Sequence, residues 1–448
     1  MLTFIDALFI GSEAIFLAYT INKYRPHIFI TLHVLIFWVF ILIFNGVRTY
    51  LMNPDYSVDV YFIVHTLVMF YLLTMILIGV KYKNRSNNLI EEISRIPYSS
   101  IVSSISAWLI FHIYIIRAYG LAGLNLYSYR IEIGAPYWVL MVNSYLWYFA
   151  FGGFLVFIIR MSVKPLSVLK PLAILSASAF FLFAVIFNEV QSARRFLLMI
   201  GVLFVLIAFY RYGRRAFLYR LAVLIPLIFV GEYWQLIRKN ISNPEFIYAV
   251  EDKEYSSAML IYLDPTRGIE TRSTIEGLSD RLSPFSILYS VSAQQLEDGT
   301  LTYGKILSRS LLNVVPALLV SNKETINADQ QLAQAFKALP DDDIASGLLV
   351  VVQADFGPLA YGLVPLLISF LILAYAGRIT HHKYSGLKIL FLALAIGTAQ
   401  IIEELPDALL VNIRDMLAII TIIYSFKIAT TTIKDYLVYK NSQRINSK

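Results

Sequence analysis

The sequence predicts an all-α integral membrane protein that crosses the bilayer about eleven times and carries one large external loop. Three observations predict this fold. The 448-residue chain is 58% hydrophobic and 15% charged, whereas about a quarter of the residues in soluble domains are charged. Apolar stretches long enough to cross about 30 Å of hydrocarbon recur along it. Lys and Arg gather in alternate connections between these stretches, as they do on the cytoplasmic side of membrane proteins.

Each predicted span is an apolar stretch that approaches the roughly 20 residues needed for a transmembrane helix. The first stretch could be mistaken for a signal peptide. It lacks a basic segment at its start and a small-residue cleavage site, so we expect a retained helix. The predicted spans are 3–20, 27–47, 59–80, 101–118, 136–159, 169–188, 195–210, 217–232, 350–377, 386–401 and 414–431.

The basic residues in the connections predict the orientation. Alternating from a cytoplasmic first loop, the connections on one side and the C-terminal tail hold 20 Lys and Arg, and the opposite short loops hold six. Because short cytoplasmic loops are enriched in Lys and Arg, the N-terminus is expected outside and the C-terminus inside. An odd number of spans fits this alternation.

One connection, residues 233–345, is too long to be a simple connector. It is expected outside, and it contains more acidic than basic residues. Apolar residues recur at helical spacing near 282–291 and 306–320, which predicts amphipathic helices that lie on the membrane or cover a cavity. The chain therefore divides into spans 1–8 over 1–232, the loop over 233–345, and spans 9–11 with the tail over 346–448.

Several classes of site are disfavoured. The chain has no cysteine, which excludes disulfides and thiolate metal sites. The segment 299–306 approaches a P-loop, but Ile306 stands where the Mg²⁺-binding Ser or Thr belongs. The histidines lack metal-ligand spacing, and none falls in an outer loop. We expect no metal and no cofactor. The net charge of +7 comes mostly from residues that flank apolar segments, so it predicts contact with membrane lipids and no nucleic acid.

The scarce cations on the predicted outer side are the candidate binding groups. A guanidinium group can bind phosphate through two parallel hydrogen bonds and stays charged. The alternatives are headgroup anchoring for Arg194 and Arg195, an interfacial aromatic belt for Arg130 and its tyrosines, and a surface ion pair with Asp280 for Arg281. The candidates are Arg130 with Tyr127 and Tyr129, Arg194, Arg195, Arg281, Lys323 and Arg414.

Carboxylates near the ends of the late spans are the candidate general bases. Asp355, Glu403 and Glu404 fall where a charged group is usually paired or functional. One of them could accept a proton from a sugar hydroxyl. Alternatively, they neutralise the outer arginines.

Taken in order, these segments resemble the O-antigen polymerases, the Wzy-type polymerases of oligosaccharide repeat units. The resemblance rests on Tyr-Ser-Tyr-Arg130, Ser-Ala-Arg-Arg195 at the start of a helix, Arg281, and Tyr-Gly-Lys305. Val-Pro316 and Gln353-Ala-Asp-Phe-Gly357 follow. The chain departs from the family after Pro316, where an arginine and Trp-Pro are common, and at Gln353, where a carboxylate is common.

The resemblance implies a glycosyltransferase of the bacterial inner membrane. It would move a growing glycan from undecaprenyl pyrophosphate onto an incoming lipid-linked repeat unit, without a metal, and would cooperate with a chain-length regulator. An O-antigen ligase is a close alternative, although ligases are expected to use a histidine in the large loop. A flippase is another, although the predicted spans are almost free of charge and show no paired halves.

Overall fold

The computed structural model describes most of the chain. Its described residues form α-helices and one 3-10 turn, and none of them forms a β-strand. The described residues are 2–38, 57–119, 136–163, 193–213, 240, 244–252, 254–264, 284–315, 328–336, 347–399 and a scattered set between 410 and 433.

The helices fall into a bundle of long apolar helices and a group of shorter helices from the long connection. The bundle contains α1 (Leu2–Tyr24), α2 (Ile28–Phe37), α3 (Val58–Lys81), α4 (Arg85–Ser94), α5 (Tyr98–Tyr119), α6 (Tyr137–Val163) and α7 (Ala193–Tyr212). The connection contributes α8 (Pro244–Glu251), α9 (Tyr255–Leu263), α10 (Pro284–Asp298), α11 (Lys305–Val314) and α12 (Ala328–Ala335). The bundle is completed by α13 (Leu348–Phe356), the 3-10 turn Gly357–Leu359, α14 (Ala360–His381) and α15 (Ser385–Ala399).

Helix α2 lies at the centre of the bundle. It packs against α3, α7, α14 and α15, and nine of its ten residues are buried. A helix that is apolar all round is stable in such a position because every face meets another helix. The remaining long helices surround it, with α6 between α5, α7 and α15.

Two adjacent glycines allow α6 to approach both of its neighbours closely. A Cβ atom on Gly152 would lie 2.2 Å from the backbone oxygen of Ile389 on α15, and one on Gly153 would lie 2.3 Å from Oγ of Ser104 on α5. Small residues permit helices to approach each other closely, and the association of helices within a bilayer depends on this close packing.

Helix α4 crosses one end of the bundle, which we call the α4 end. Glu92 Oε2 accepts a hydrogen bond from Lys388 Nζ at 2.7 Å, which joins α4 to α15. Arg160 of α6 donates to the backbone oxygen of Ile96, and Arg211 of α7 lies 3.8 Å from Glu91. The hydrogen bond from Lys388 holds the pKa of Glu92 below its ordinary value.

The opposite end of the bundle carries α10, α11 and α12 of the long connection, which pack against α13, and we call it the α10 end. Helix α10 packs against α3 and α13, and Tyr289 Oη donates to the backbone oxygen of Ser57 at 3.2 Å. Within the long connection, Asn240 Nδ2 donates to the backbone oxygens of Ile261 and Asp264 at 3.1 and 2.7 Å. These bonds provide partners for backbone oxygens at the C-terminal end of α9.

The structure confirms the all-helical, membrane-type character of the chain. Four stretches among the described residues are long and apolar enough to cross a bilayer: Val58–Lys81, Tyr98–Ile115, Tyr145–Val163 and Leu348–His381. Helices α2 and α15 and the apolar part of α7 are shorter. The predicted spans 169–188 and 217–232 lie outside the described residues, as do 39–47 of the second span. The number of eleven crossings stays a prediction.

The prediction of one continuous span over 350–377 was wrong in one respect. The helix is interrupted at Gly357, whose φ of 62° and ψ of −144° belong to a region open essentially only to glycine. Pro358 follows and donates no backbone hydrogen bond. Helices α13 and α14 are therefore separate elements that meet at this turn. The helices predicted near 282–291 and 306–320 are present as α10 and α11, and α11 ends at Val314.

Candidate functional site

A group of buried polar side chains joins α13 to the helices of the long connection, and we call it the α13 clasp. It consists of Asp355, Gln353, Thr302, Ser292 and Tyr361, together with the backbone at the start of α11. Asp355 is 1% exposed. Its Oδ1 accepts from Thr302 Oγ1 at 2.5 Å and from the backbone N–H of Ile306 at 3.2 Å, and its Oδ2 accepts from the N–H of Leu307 at 2.9 Å.

This arrangement makes Asp355 the N-terminal cap of a helix about fifty residues earlier in the chain. The first N–H groups of a helix lack partners within it. The residue in the local capping position is Gly304, at φ 81°, and it has no side chain to supply an oxygen. The carboxylate from α13 takes that role, and its negative charge is favourable at the positive end of the helix dipole.

The same contact involves the segment 299–306, whose sequence approaches a P-loop. In a P-loop, the N–H groups at the start of the helix bind phosphate. Here both oxygens of Asp355 occupy that position at the start of α11. The N–H groups of Ile306 and Leu307 are therefore paired within the protein.

Gln353 forms the second part of the clasp. It is 1% exposed; its Nε2 donates to Ser292 Oγ on α10, and its Oε1 accepts from Tyr361 Oη on α14 at 2.9 Å. Gln295 Nε2 donates to the backbone oxygen of Gln353 at 2.8 Å. All these groups are paired, as buried polar groups must be. Gln353 thus has a structural role in this chain.

Tyr303 lies at the rim of the clasp, between Thr302 and Gly304. Its backbone has φ 49°, and its side chain is 79% exposed. A non-glycine residue in this region is uncommon, and such residues cluster at functional sites. An exposed aromatic ring beside the loop helices is also chemically suited to stack on a sugar ring.

The structure locates some of the predicted site residues. Arg194 and Arg195 fall in the first turn of α7, which agrees with the prediction that they open a helix. Arg414 is half-buried, and Asp355 is the carboxylate of the α13 clasp. The remaining candidates lie outside the described residues: Arg130, Tyr127, Tyr129, Arg281, Lys323, Glu403 and Glu404.

One buried pair of ionisable side chains inside the bundle was not predicted from the sequence. Glu13 of α1 is 4% exposed and its Oε1 lies 2.9 Å from Nδ1 of His65 on α3, which is fully buried. Trp38 Nε1 donates to the other oxygen of Glu13 at 3.4 Å, and the ring of Tyr61 lies 5.0 Å from that of His65. An ionisable pair buried among membrane helices is expensive to place there and usually marks function.

The signal for this pair in the sequence is an acid within an apolar segment. Glu13 is one of two acids, with Asp6, in the first predicted span. Its partner is 52 residues away and could not be identified from spacing.

Comparison with known proteins found no matching family model, no matching curated protein and no matching solved structure.

Proposed function

We propose that the protein polymerises undecaprenyl-pyrophosphate-linked oligosaccharide repeat units at the outer face of the bacterial inner membrane. The observation that carries this proposal is the α13 clasp. Through Asp355 and Gln353 it fastens helices of the long connection to the bundle, beside the segment that starts α3. A loop held in this way forms a fixed cover over one end of the bundle. Such a cover suits an enzyme that must exclude water from glycosyl transfer.

Contacts between connections support the proposed division of the connections between two sides. Glu92, Lys388, Arg160 and Arg211 belong to connections that charge counting assigns to the cytoplasm, and they meet at the α4 end. Tyr289 belongs to the connection assigned to the outside, and it contacts Ser57 at the α10 end. Alternating crossings would produce this grouping, and the excess of Lys and Arg on one side is the basis for the proposed orientation.

The proposed reaction exchanges one glycosidic bond for another. A hydroxyl oxygen of the incoming repeat unit bonds to the anomeric carbon of the growing chain, and the bond from that carbon to the lipid pyrophosphate breaks. Arg194, Arg195 and Arg281 would stabilise the negative charge on the departing pyrophosphate. A carboxylate would accept the hydroxyl proton. Glu403 and Glu404 are preferred for this role, because Asp355 is closed to solvent and capping α11.

Substitution of the arginines tests the proposal. We expect Arg194→Ala, Arg195→Ala and Arg281→Ala to abolish long surface polysaccharide in a strain that lacks the native gene, with normal amounts of protein in the membrane. Gel analysis should show a single repeat unit on the lipid core. The matched control is Arg95→Ala at the α4 end, where the side chain is 70% exposed; it should give a normal ladder. Normal ladders from all three outer variants would refute the proposal.

The buried pair of Glu13 and His65 favours a second candidate, a transporter of the same lipid-linked sugars. Transporters use buried acids and histidines as proton relays. Under this alternative, Glu13→Gln would leave lipid-linked repeat units on the cytoplasmic face. Under the polymerase proposal, single repeat units would still reach the core in every variant. The side on which the units accumulate therefore distinguishes the two functions.

A further inference from the structure

A cavity of about 300 Å³ lies at the α4 end of the bundle, far from the α13 clasp. It is formed by the turn before α2, the exposed side of α4 and the last turns of α14. We call it the basic cavity, because its titratable lining residues are Arg85, His27 and His381. Leu89, Leu373 and Ala376 form much of its wall.

Arg85 supplies the positive charge at the basic cavity. Among the described residues no Asp or Glu lines it, and Arg85 forms no ion pair with a described residue. Arg85 lies over the ring of Tyr82, 5.1 Å from its centroid, and this contact leaves the guanidinium donors available. Arg85 and His381 are exposed at the rim, together with the amide of Asn88.

His27 forms the buried part of the cavity wall. It lines the cavity and is 1% exposed. Its Nδ1 is closed to solvent and has no hydrogen-bond partner among the described residues. The N–H of the same residue donates to the backbone oxygen of Gly79 at 2.9 Å, so the position of His27 is fixed.

These features specify the chemistry of the ligand. A guanidinium, an imidazole and an amide at the rim of a small space suit an anion with several acceptor oxygens. A volume near 300 Å³ is at the lower end of the range for small-molecule sites. The apolar wall of Leu89 and Leu373 suits an anion that carries a hydrocarbon part.

We propose that the basic cavity binds a phosphate-bearing anion. The proposal depends on the cavity alone and not on the polymerase function. Two sources share this chemistry: the headgroup of an acidic lipid, and free phosphate.

Binding to the purified full-length protein in detergent tests the proposal. The probes are a fluorescent short-chain phosphatidic acid, the matching phosphatidylcholine and inorganic phosphate as competitor. Arg85→Gln removes the rim cation, and we expect it to weaken binding of phosphatidic acid about tenfold, because hydrogen bonds to charged groups contribute on this scale. Gly377→Leu fills the cavity and keeps every cation; a Cβ on Gly377 would have no atom within 4 Å. It should also weaken binding at least tenfold.

The matched control is Lys83→Gln, which removes an exposed cation two residues from Arg85 that does not line the cavity. It should bind as the wild type does, and all variants should retain the wild-type melting temperature. If millimolar phosphate displaces the lipid, free phosphate is the ligand; if it does not, the ligand is the lipid headgroup. Equal binding of phosphatidylcholine, or equal loss in the control, would overturn the proposal.

Discussion

Asp355 connects two segments of the chain through three hydrogen bonds, to Thr302 Oγ1 and to the N–H groups of Ile306 and Leu307. The carboxylate and the N–H of Ile306 are buried, and the other two donors are partly buried, so removing the carboxylate would leave these donors without their partner. A buried donor left in this way costs about 1–3 kcal/mol. The stability of α11 therefore depends on a residue in another helix.

Substitution at Asp355 separates this structural role from a catalytic one. We expect Asp355→Ala to lower the free energy of unfolding by about 2–4 kcal/mol and to speed amide hydrogen exchange over 305–314. Thr302→Val breaks one bond of the same clasp and keeps the carboxylate; it should cost about 1 kcal/mol. Hydrogen exchange followed by mass spectrometry measures both effects.

The length of the polysaccharide distinguishes a structural role of Asp355 from a catalytic one. If the role of Asp355 is structural, Asp355→Ala and Thr302→Val should shorten the polysaccharide in proportion to their loss of stability. Complete loss of polymer in Asp355→Ala, with unchanged exchange over 305–314, would contradict the structural role and favour a base.

The sequence predicts that Asp355 is paired or functional, but it does not predict which group is its partner. The penalty on a charge near a helix end is local and can be read from hydropathy. The partner, in contrast, is the backbone of 306 and 307, and no side-chain pattern marks it. Glu13 and His65 were missed for the same physical reason, because the contact between them exists only once α1 and α3 have packed.

The crossing of α6 and α15 depends on the missing side chain at Gly152. We expect Gly152→Ala to destabilise the protein by about 1–3 kcal/mol or more, because the new methyl group would meet the backbone of Ile389, which cannot rotate away. Gly397→Ala on α15 is the control. A Cβ there has no atom within 4 Å, so it should stabilise by up to about 1 kcal/mol. Thermal unfolding in detergent measures both, and equal effects would contradict this account of the crossing.

The link between α4 and α15 predicts a dependence on pH. Because the hydrogen bond from Lys388 lowers the pKa of Glu92 in the folded state, the pair stabilises the protein above the ordinary carboxyl pKa. This contribution is lost as the pH falls through the lowered pKa. Glu92→Gln and Lys388→Met should each flatten the decline in melting temperature on acidification, and the double variant should add nothing further. Additive effects would show that the two groups act separately.

At the level of elements, long apolar stretches were predictable because a bilayer requires about 20 apolar residues. The ends of α3, α5 and α7 fall within a few residues of the predicted spans. Helix α4 was not predicted, since hydropathy treats 81–100 as a connection. Its Leu89, Ile90 and Ile93 are nevertheless buried. The break at Gly357 was also missed, because averaging along the chain conceals one glycine and one proline.

The whole molecule has two ends, and labelling can determine which side of the membrane each one faces. The chain has no cysteine, so a single introduced cysteine is a unique reporter. We expect a membrane-impermeant maleimide to label Tyr303→Cys from outside intact inner membranes. Lys83→Cys should react only after the membrane is opened. Labelling of both positions from the same side would contradict the orientation.

Helix α14 is long enough to cross the bilayer alone. Its 22 residues extend about 33 Å, against about 30 Å of hydrocarbon, and the chain turns at Gly357 between α13 and α14. Helix α13 is therefore expected to stand above the membrane surface. This position explains why Gln353 and Asp355 can reach helices of the long connection.

The capping of α11 by a later residue also has a consequence for biogenesis. Under the proposed topology, residues 305–314 would cross the membrane ahead of Asp355. An isolated helix of ten residues is marginal in water, and α11 has no side-chain cap of its own. It would therefore reach its final form only after α13 has followed it across. The translocated region would be completed late, and a chain stalled before residue 355 would expose it to proteases.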